Sequence, residues 1–235
     1  MGMLKGILFD YGHTLVYFPH YERTHFTAAN NVKKVLQDLG VSKDVYMIKK
    51  VIESVAQRAE LVISMEEEFT EIFNILKVKI YSKDDLQKAI LTFWKPYVQN
   101  VRGRKGVKEL FKHLSRRELK LGIVANIWSG GMNPVLERLE IKNFFDVTIG
   151  SIDVGFKKPS PKIFRLALDH LKLTPEEVIM VGDNPETDIK GAYNLGIRTV
   201  RLLRGPNRKK QDIVKPDFKI RNLSALASII SELAI

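Results

Sequence analysis

The chain contains no cysteine among its 235 residues. That excludes disulfide staples, thiolate metal ligands and a cysteine nucleophile, and it fits a reducing or hot environment. Any chemistry must therefore come from oxygen and nitrogen groups. No apolar run is long enough to span a bilayer, and the first strand pattern begins almost at residue 1, leaving no room for a signal peptide. The expected location is the cytoplasm. No internal repeat or low-complexity segment interrupts the chain. A hydrophobic content of 45% and a charged content of 28% are those of an ordinary globular protein. The length suffices for one large domain or two smaller ones.

Acid is scarcer than base: 27 Asp and Glu against 38 Lys and Arg give a net charge of +11. A basic surplus attracts phosphate backbones when it is clustered. Here it is scattered in short groups, Arg102 to Lys105, Arg116 with Arg117, Lys157 with Lys158, and Arg208 to Lys210. These groups lack interleaved aromatics or a nucleic-acid motif, so solvated faces are the expectation. A mild field favouring small phosphorylated anions is compatible with them.

Four segments place a polar or charged group just past an apolar β-type run. They are Lys5 to Leu15 with Asp10, Gly122 to Asn126, the Lys157-Lys158-Pro159 turn after Val147 to Ser151, and Val178 to Asp183. Between the first and second of these, from about residue 20 to 97, the apolar period is helical over 28–39, 42–63, 66–76 and 82–94. Ser42 and Ser82 are expected N-caps and Gly40 a C-terminal stop. Linkers are expected near 17–19 and 97–103, where Pro and Gly occur. Strands then alternate with helices: helix 106–119, strand 120–126, helix 134–139, strand 145–151, a helix from the Ser160-Pro161 cap to 171, a Thr174-to-Glu177 capping box, strand 178–182, a helix from about 186 to Gly196, strand 199–203, edge strand 218–220 and an amphipathic tail helix. This order predicts a doubly wound parallel α/β sheet, a Rossmann-like core over 1–16 and 101–235, with a helical-bundle cap inserted over 17–100. In such a sheet the strand carboxyl ends share one edge, so the four polar groups should converge, with the insertion acting as a lid.

Asp10 and Asp183 are then expected on neighbouring strand ends, with Asp188 and Glu186 close by. Clustered carboxylates repel unless a cation is present, and Mg²⁺ suits such oxygen donors. Lys158 and the start of the helix after Ser160 favour an anion, which backbone amides after Asp10 and at Asn126 would help to hold. A nucleophilic carboxylate beside Mg²⁺ and an anion cradle describes phosphoryl transfer through an aspartyl phosphate.

Phe9 to Leu15, Ile123 to Asn126, Lys158 to Pro161 and Gly182 to Asp188 together resemble, in order and spacing, the four motifs of the haloacid dehalogenase-like hydrolases, and the insertion resembles members whose cap follows the first motif. The resemblance implies that Asp10 is the nucleophile and that the Gly12 carbonyl and Asp183 complete a Mg²⁺ site with it. It further implies that Asp188 supports the metal from behind and that Lys158 neutralises nucleophile and phosphate. The implied activity is a Mg²⁺-dependent phosphatase of small phosphorylated metabolites, without nucleic-acid or membrane partners, as a monomer or homodimer. Two positions depart from the phosphatase pattern. Gly12 stands where an acid–base aspartate is usual, and Ala125 where a hydroxyl would contact phosphate, leaving Gly12, His13, Ala125, Asn126 and Lys158 to surround the anion. His13 is the candidate substitute acid. Two alternatives stay open: a 2-haloacid dehalogenase using Asp10 without metal, and a degenerate protein that binds a phosphorylated ligand without turnover.

Overall fold

The run Gly6–Phe9 (β1) is buried on both faces between two parallel neighbours in a computed structural model of the chain, which describes residues 3–58, 63–79 and 82–233. A strand covered on both sides has no polar face to present, so it reads as continuous apolar sequence rather than as alternation. The remaining elements are β2 (Val16–Tyr17), α1 (Tyr21–Asp38), α2 (Val45–Arg58), α3 (Met65–Ile75), α4 (Lys83–Asn100), β3 (Arg102–Gly103), α5 (Val107–Leu114), β4 (Lys120–Ala125), α6 (Ser129–Arg138), β5 (Val147–Gly150), α7 (Ser151–Val154), α8 (Pro161–Leu171), β6 (Val178–Gly182), α9 (Lys190–Tyr193), β7 (Arg198–Leu202), β8 (Phe218–Ile220) and α10 (Leu226–Leu233). Six strands form one sheet in the order β5-β4-β1-β6-β7-β8, and every pairing is parallel. The chain builds outward from β1 first to one side and then to the other. The carboxyl end of β1 is therefore the point where strand order reverses, the usual place for a site in such sheets. Register aligns Phe9 with both Ile123 and Val181, which brings Asp10, Asn126 and Asp183 to one edge.

The chain divides into two compact units, Met1–Tyr17 with Arg102–Ile235, and Phe18–Val101. In the first, Leu8, Val124, Ile163, Phe164, Leu168 and Met180 pack between the sheet and α8. In the second, α1 packs on α2 and α4, and α3 on α2 and α4, around Ala28, Val32, Leu36, Phe69, Phe73 and Phe93.

Several boundaries differ from the sequence expectation for local physical reasons. α1 starts at Tyr21, not Ala28, because its first buried positions are the polar Thr24 and His25, which carry no hydrophobic period. Asp44, not Ser42, caps α2 by accepting from the amides of Tyr46 and Met47 at 2.9 and 3.2 Å. The expected continuation of this helix over 59–62 lies outside the described residues. α3 is capped by a Ser64–Glu67 capping box, and Ser82 caps α4 as expected. α4 continues through Pro96 to Asn100, where a linker was expected. Proline cannot donate to the Thr92 carbonyl one turn back, but Asn31 Nδ2 reaches that carbonyl at 3.3 Å and satisfies it. The crossings between the units carry the antiparallel ribbon β2–β3. α6 begins at Ser129 rather than Pro134, because both carboxylate oxygens of Asp153 take the Ser129 N–H and O–H at 2.9 and 2.8 Å. Strand β5 ends at Gly150, and the helix expected from 186 opens as a π-helical turn, Pro185–Ile189.

Candidate active site

Asp10 is the first residue past β1, and its amide continues the ladder by donating to the Val181 carbonyl at 2.9 Å. Lys158, on the turn before α8, is 2% exposed and places Nζ 2.7 Å from Asp10 Oδ1 and 2.7 Å from Asp188 Oδ1. Its main chain is clamped by the Asn126 side chain, which accepts from Lys158 N–H at 2.8 Å and donates to Lys158 C=O at 3.0 Å. Asn126 therefore orients Lys158 rather than Asp10. Lys157 is exposed.

The π-helical turn after β6 supplies Asp188. Its Oδ2 accepts from the Asn184 amide at 3.0 Å, and its Oδ1 accepts from Thr187 Oγ1 at 3.1 Å as well as from Lys158. Gly182 permits this approach: a Cβ there would lie 2.4 Å from Asp188 Oδ2. Asp183 is buried, and its Oδ2 accepts from Asn207 Nδ2 at 3.0 Å. Glu186 was expected in the same cluster. It lies instead on the exposed side of the turn, 3.6 Å from Lys210, since only every third or fourth position of that turn faces inward.

Ligand oxygens of Asp10, Asp183 and Asp188 lie within 4.8 Å of one another. Burial, then the Asp188 charge, push the Asp10 carboxyl up to about 6 against the pull of Lys158. Burial, then the charges of Asp10 and Asp188, push Asp183 up to about 7. Burial opposes the Lys158 charge, but Asp10 and Asp188 outweigh it and hold the ammonium above its usual range. Three buried carboxylates against one ammonium leave an excess of negative charge that a hard cation would neutralise. The donor set fits Mg²⁺: it is all oxygen, and Asp10 and Asp183 each keep an oxygen that is bonded to neither Lys158 nor Asn207. Asp188 has both oxygens engaged and is placed to hold Lys158.

Gly12 and His13 lie on the turn after Asp10. His13 adopts a left-handed backbone (φ 60°), and its carbonyl accepts from Arg104 Nε at 2.7 Å. Burial, then Arg104, lower its imidazole pKa. Ala125 is buried at the end of β4. Trp128 is half-buried with its ring against Gly130. Three contributors had no sequence signal: Asn207 and Arg104, which sit outside any motif, and Thr187, inside one but on a turn whose geometry is not helical.

A family model described as haloacid dehalogenase-like hydrolase matches residues 44–202. That span contains Ala125, Asn126, Lys158, Asp183 and Asp188 and begins after Asp10. The chain is 28% identical over 236 residues to a glyceraldehyde 3-phosphate phosphatase of Methanocaldococcus jannaschii, covering 98% of this chain and 99% of that protein. It is 35% identical over 108 residues to a phosphoserine phosphatase of Thermus thermophilus, covering 46% and 43%. Among solved structures, a 2-haloacid dehalogenase from Pseudomonas syringae superposes with a TM-score of 0.73 at 23% identity, covering 98% and 99%. A phosphatase from Thermococcus onnurineus does so with 0.67 at 24% identity, covering 97% and 98%.

Proposed function

Because the chain belongs to the haloacid dehalogenase-like hydrolase family, we propose that it is a Mg²⁺-dependent phosphatase of small phosphorylated metabolites working through phospho-Asp10. One arrangement carries the proposal: Lys158 bridges Asp10 and Asp188 at 2.7 Å each, with Asp183 in the same 4.8 Å cluster. Asp10 and Asp183 would hold the metal, with the Gly12 carbonyl as the third protein donor. Bound Mg²⁺ supplies positive charge for the carboxylates and for a phosphoryl group.

Lys158 donates to Oδ1 and fixes the orientation of the Asp10 carboxylate, which would attack through one oxygen while the other faces the metal. Attack on phosphorus forms the Asp10 O–P bond and breaks the bond to the substrate oxygen. Attack of water on the same phosphorus then regenerates the carboxylate and releases inorganic phosphate. Lys158, the amides of the 11–14 turn and the end of β4 neutralise and orient the phosphoryl oxygens. With Gly12 in place of an acid, the leaving oxygen receives little protein help, and His13, on the turn after Asp10, is the proposed substitute. Acid–base assistance is worth about 10²–10⁴ in rate, so aryl and acyl phosphates should be turned over faster than alkyl ones. The inserted helical unit, following the nucleophile in the chain, is proposed as the cap that selects the substrate.

Phosphate release from para-nitrophenyl phosphate, with and without Mg²⁺ and with Asp10→Asn as the blank, tests the proposal. Turnover that needs the metal and disappears in the variant supports it. Turnover retained by Asp10→Asn removes the covalent mechanism. Release of halide from a 2-haloacid in chelator would replace the proposal with the dehalogenase alternative, which Gly12 favours and Asp183 opposes.

A further inference from the structure

Beside the active site, the first unit holds a cavity of about 520 Å³ whose rim carries Arg104, Lys105, Arg204 and Arg221 over a floor that includes the buried Leu202 and Leu223. A second cavity of about 430 Å³ shares Arg204 and Arg221 with it and adds Arg208 and Lys209. Among the described residues, no carboxylate lines either cavity. Among the described residues, none of these six cations forms an ion pair, although elsewhere in the molecule Lys5, Lys49, Lys88 and Lys108 all do. What sets this cluster apart is that its cations converge on two adjoining cavities and that a carboxylate charge, that of Asp183, reaches it only at Arg104.

Two of the arginines are already aimed. Arg204 donates Nε–H to the Arg221 carbonyl at 2.6 Å, and Arg104 donates Nε–H to the His13 carbonyl at 2.7 Å. Anchoring through Nε holds each guanidinium plane in place and leaves the terminal nitrogens to face an anion, which reduces the ordering cost of binding. The two guanidinium groups also lie close enough to repel each other. Two cationic lobes joined by shared arginines match a ligand with two adjacent anionic groups, and the mostly apolar lining of the first cavity accommodates an apolar portion.

We propose that this double cavity is a binding site for a soluble organic diphosphate, distinct from the Asp10 site and coupled to it. The coupling has two routes, both within the first unit. Arg104 links the cavity to the His13 carbonyl in the turn that follows Asp10. The segment carrying Arg204, Arg208 and Lys209 also carries Asn207, which donates to Asp183. An anion that draws these cations together fixes both contacts, so its binding is linked to the state of the active site.

The test is calorimetric titration of the full chain, in chelator and 150 mM salt, with adenosine diphosphate, with inorganic pyrophosphate and with a short single-stranded oligonucleotide. Neither the assay nor its interpretation depends on turnover, so it stands apart from the phosphatase proposal. One-to-one binding of the nucleoside diphosphate is expected, weakened about 100-fold in the exposed double variant Lys209→Glu, Arg221→Glu, at roughly tenfold per lost charge-assisted contact. Pyrophosphate binding as well as adenosine diphosphate would overturn the role of the apolar lining and assign the site to free pyrophosphate. Equal affinity in the double variant, or tighter binding of the oligonucleotide, overturns the proposal. Amide hydrogen exchange over 11–15 and 205–209 should slow on addition of adenosine diphosphate; unchanged exchange over 11–15 in the bound protein overturns the coupling.

Discussion

Each unit buries a polar cluster, and the two clusters are held by opposite means. At the sheet edge, Asp10, Asp183, Asp188 and Lys158 are all nearly buried and all chargeable, and their sum is negative. In the helical unit, His25 Nδ1 meets the Tyr97 hydroxyl in a short hydrogen bond, with Tyr21 stacked on the imidazole at 5.8 Å. Burial lowers the His25 pKa and raises that of Tyr97, so both groups stay neutral near pH 7. This pair carries no net charge, although it leaves His25 Nε2 buried without a hydrogen bond among the described residues, 3.6 Å from Glu53 Oε1. A charged cluster with excess carboxylate costs stability until a cation or protons arrive. Excess buried charge is thus concentrated where chemistry is proposed, whereas the His25–Tyr97 pair of the helical unit joins α1 to α4 without it.

Removing Lys158 should widen this contrast most. Lys158→Met leaves two buried carboxylates without their ammonium, and breaking such a cluster costs about 3–5 kcal/mol. Denaturant unfolding at pH 8 would show the loss, and its recovery near pH 5, where Asp10 is protonated, would assign it to charge rather than packing.

Metal should close the gap from the other direction. Mg²⁺ at a hundredfold excess over its Kd should stabilise the wild type by about 2.7 kcal/mol, and Asp183→Asn should abolish the response. A response that survives Asp183→Asn would place the metal elsewhere.

Without metal, pH should separate the two clusters by sign. Asp10 and Asp183 have folded pKa values of about 6 and about 7, above the unfolded carboxylate range, so their favourable contribution is complete below about pH 4 and is lost as pH rises through 6 and 7. His25 has a depressed folded pKa, so its contribution is present above its unfolded value of about 6.5 and is lost as pH falls below it. Glu53 and Glu22 moderate that loss, and Lys49 adds to it. Stability of the metal-free protein between pH 8 and 5 should therefore bend oppositely in Asp183→Asn and in His25→Gln. Parallel curves for the two variants would erase the distinction.

The smallest effect is expected in the helical unit. Asn31→Ala orphans the Thr92 carbonyl above Pro96 and should cost about 1 kcal/mol, read as an earlier unfolding midpoint, with Mg²⁺ binding unchanged.

Much of this organisation could be read along the chain. Continuous apolar runs marked the central strands, and a polar residue just past three of them marked Asp10, Asn126 and Asp183. Ser160-Pro161 and Ser82 act where their side chains reach amides two or three residues ahead. Such signals are local: a cap or a strand end is specified within a few residues. Even the parallel order follows, because alternating strands and helices admit few arrangements.

What escaped the sequence lies in contacts between residues far apart along it. Asp153 starts α6 from 24 residues away, Asn31 supports α4 from 61, and Asn207 reaches Asp183 from 24. Residue spacing carries no record of these meetings. The sequence by itself determined which side chains stand at the strand ends and which chemistry they possess. Only the tertiary structure decided that Lys158 is shared between Asp10 and Asp188, that Glu186 points away, and that Asn126 grips Lys158, because those outcomes depend on side-chain directions set when separate segments pack within hydrogen-bonding distance.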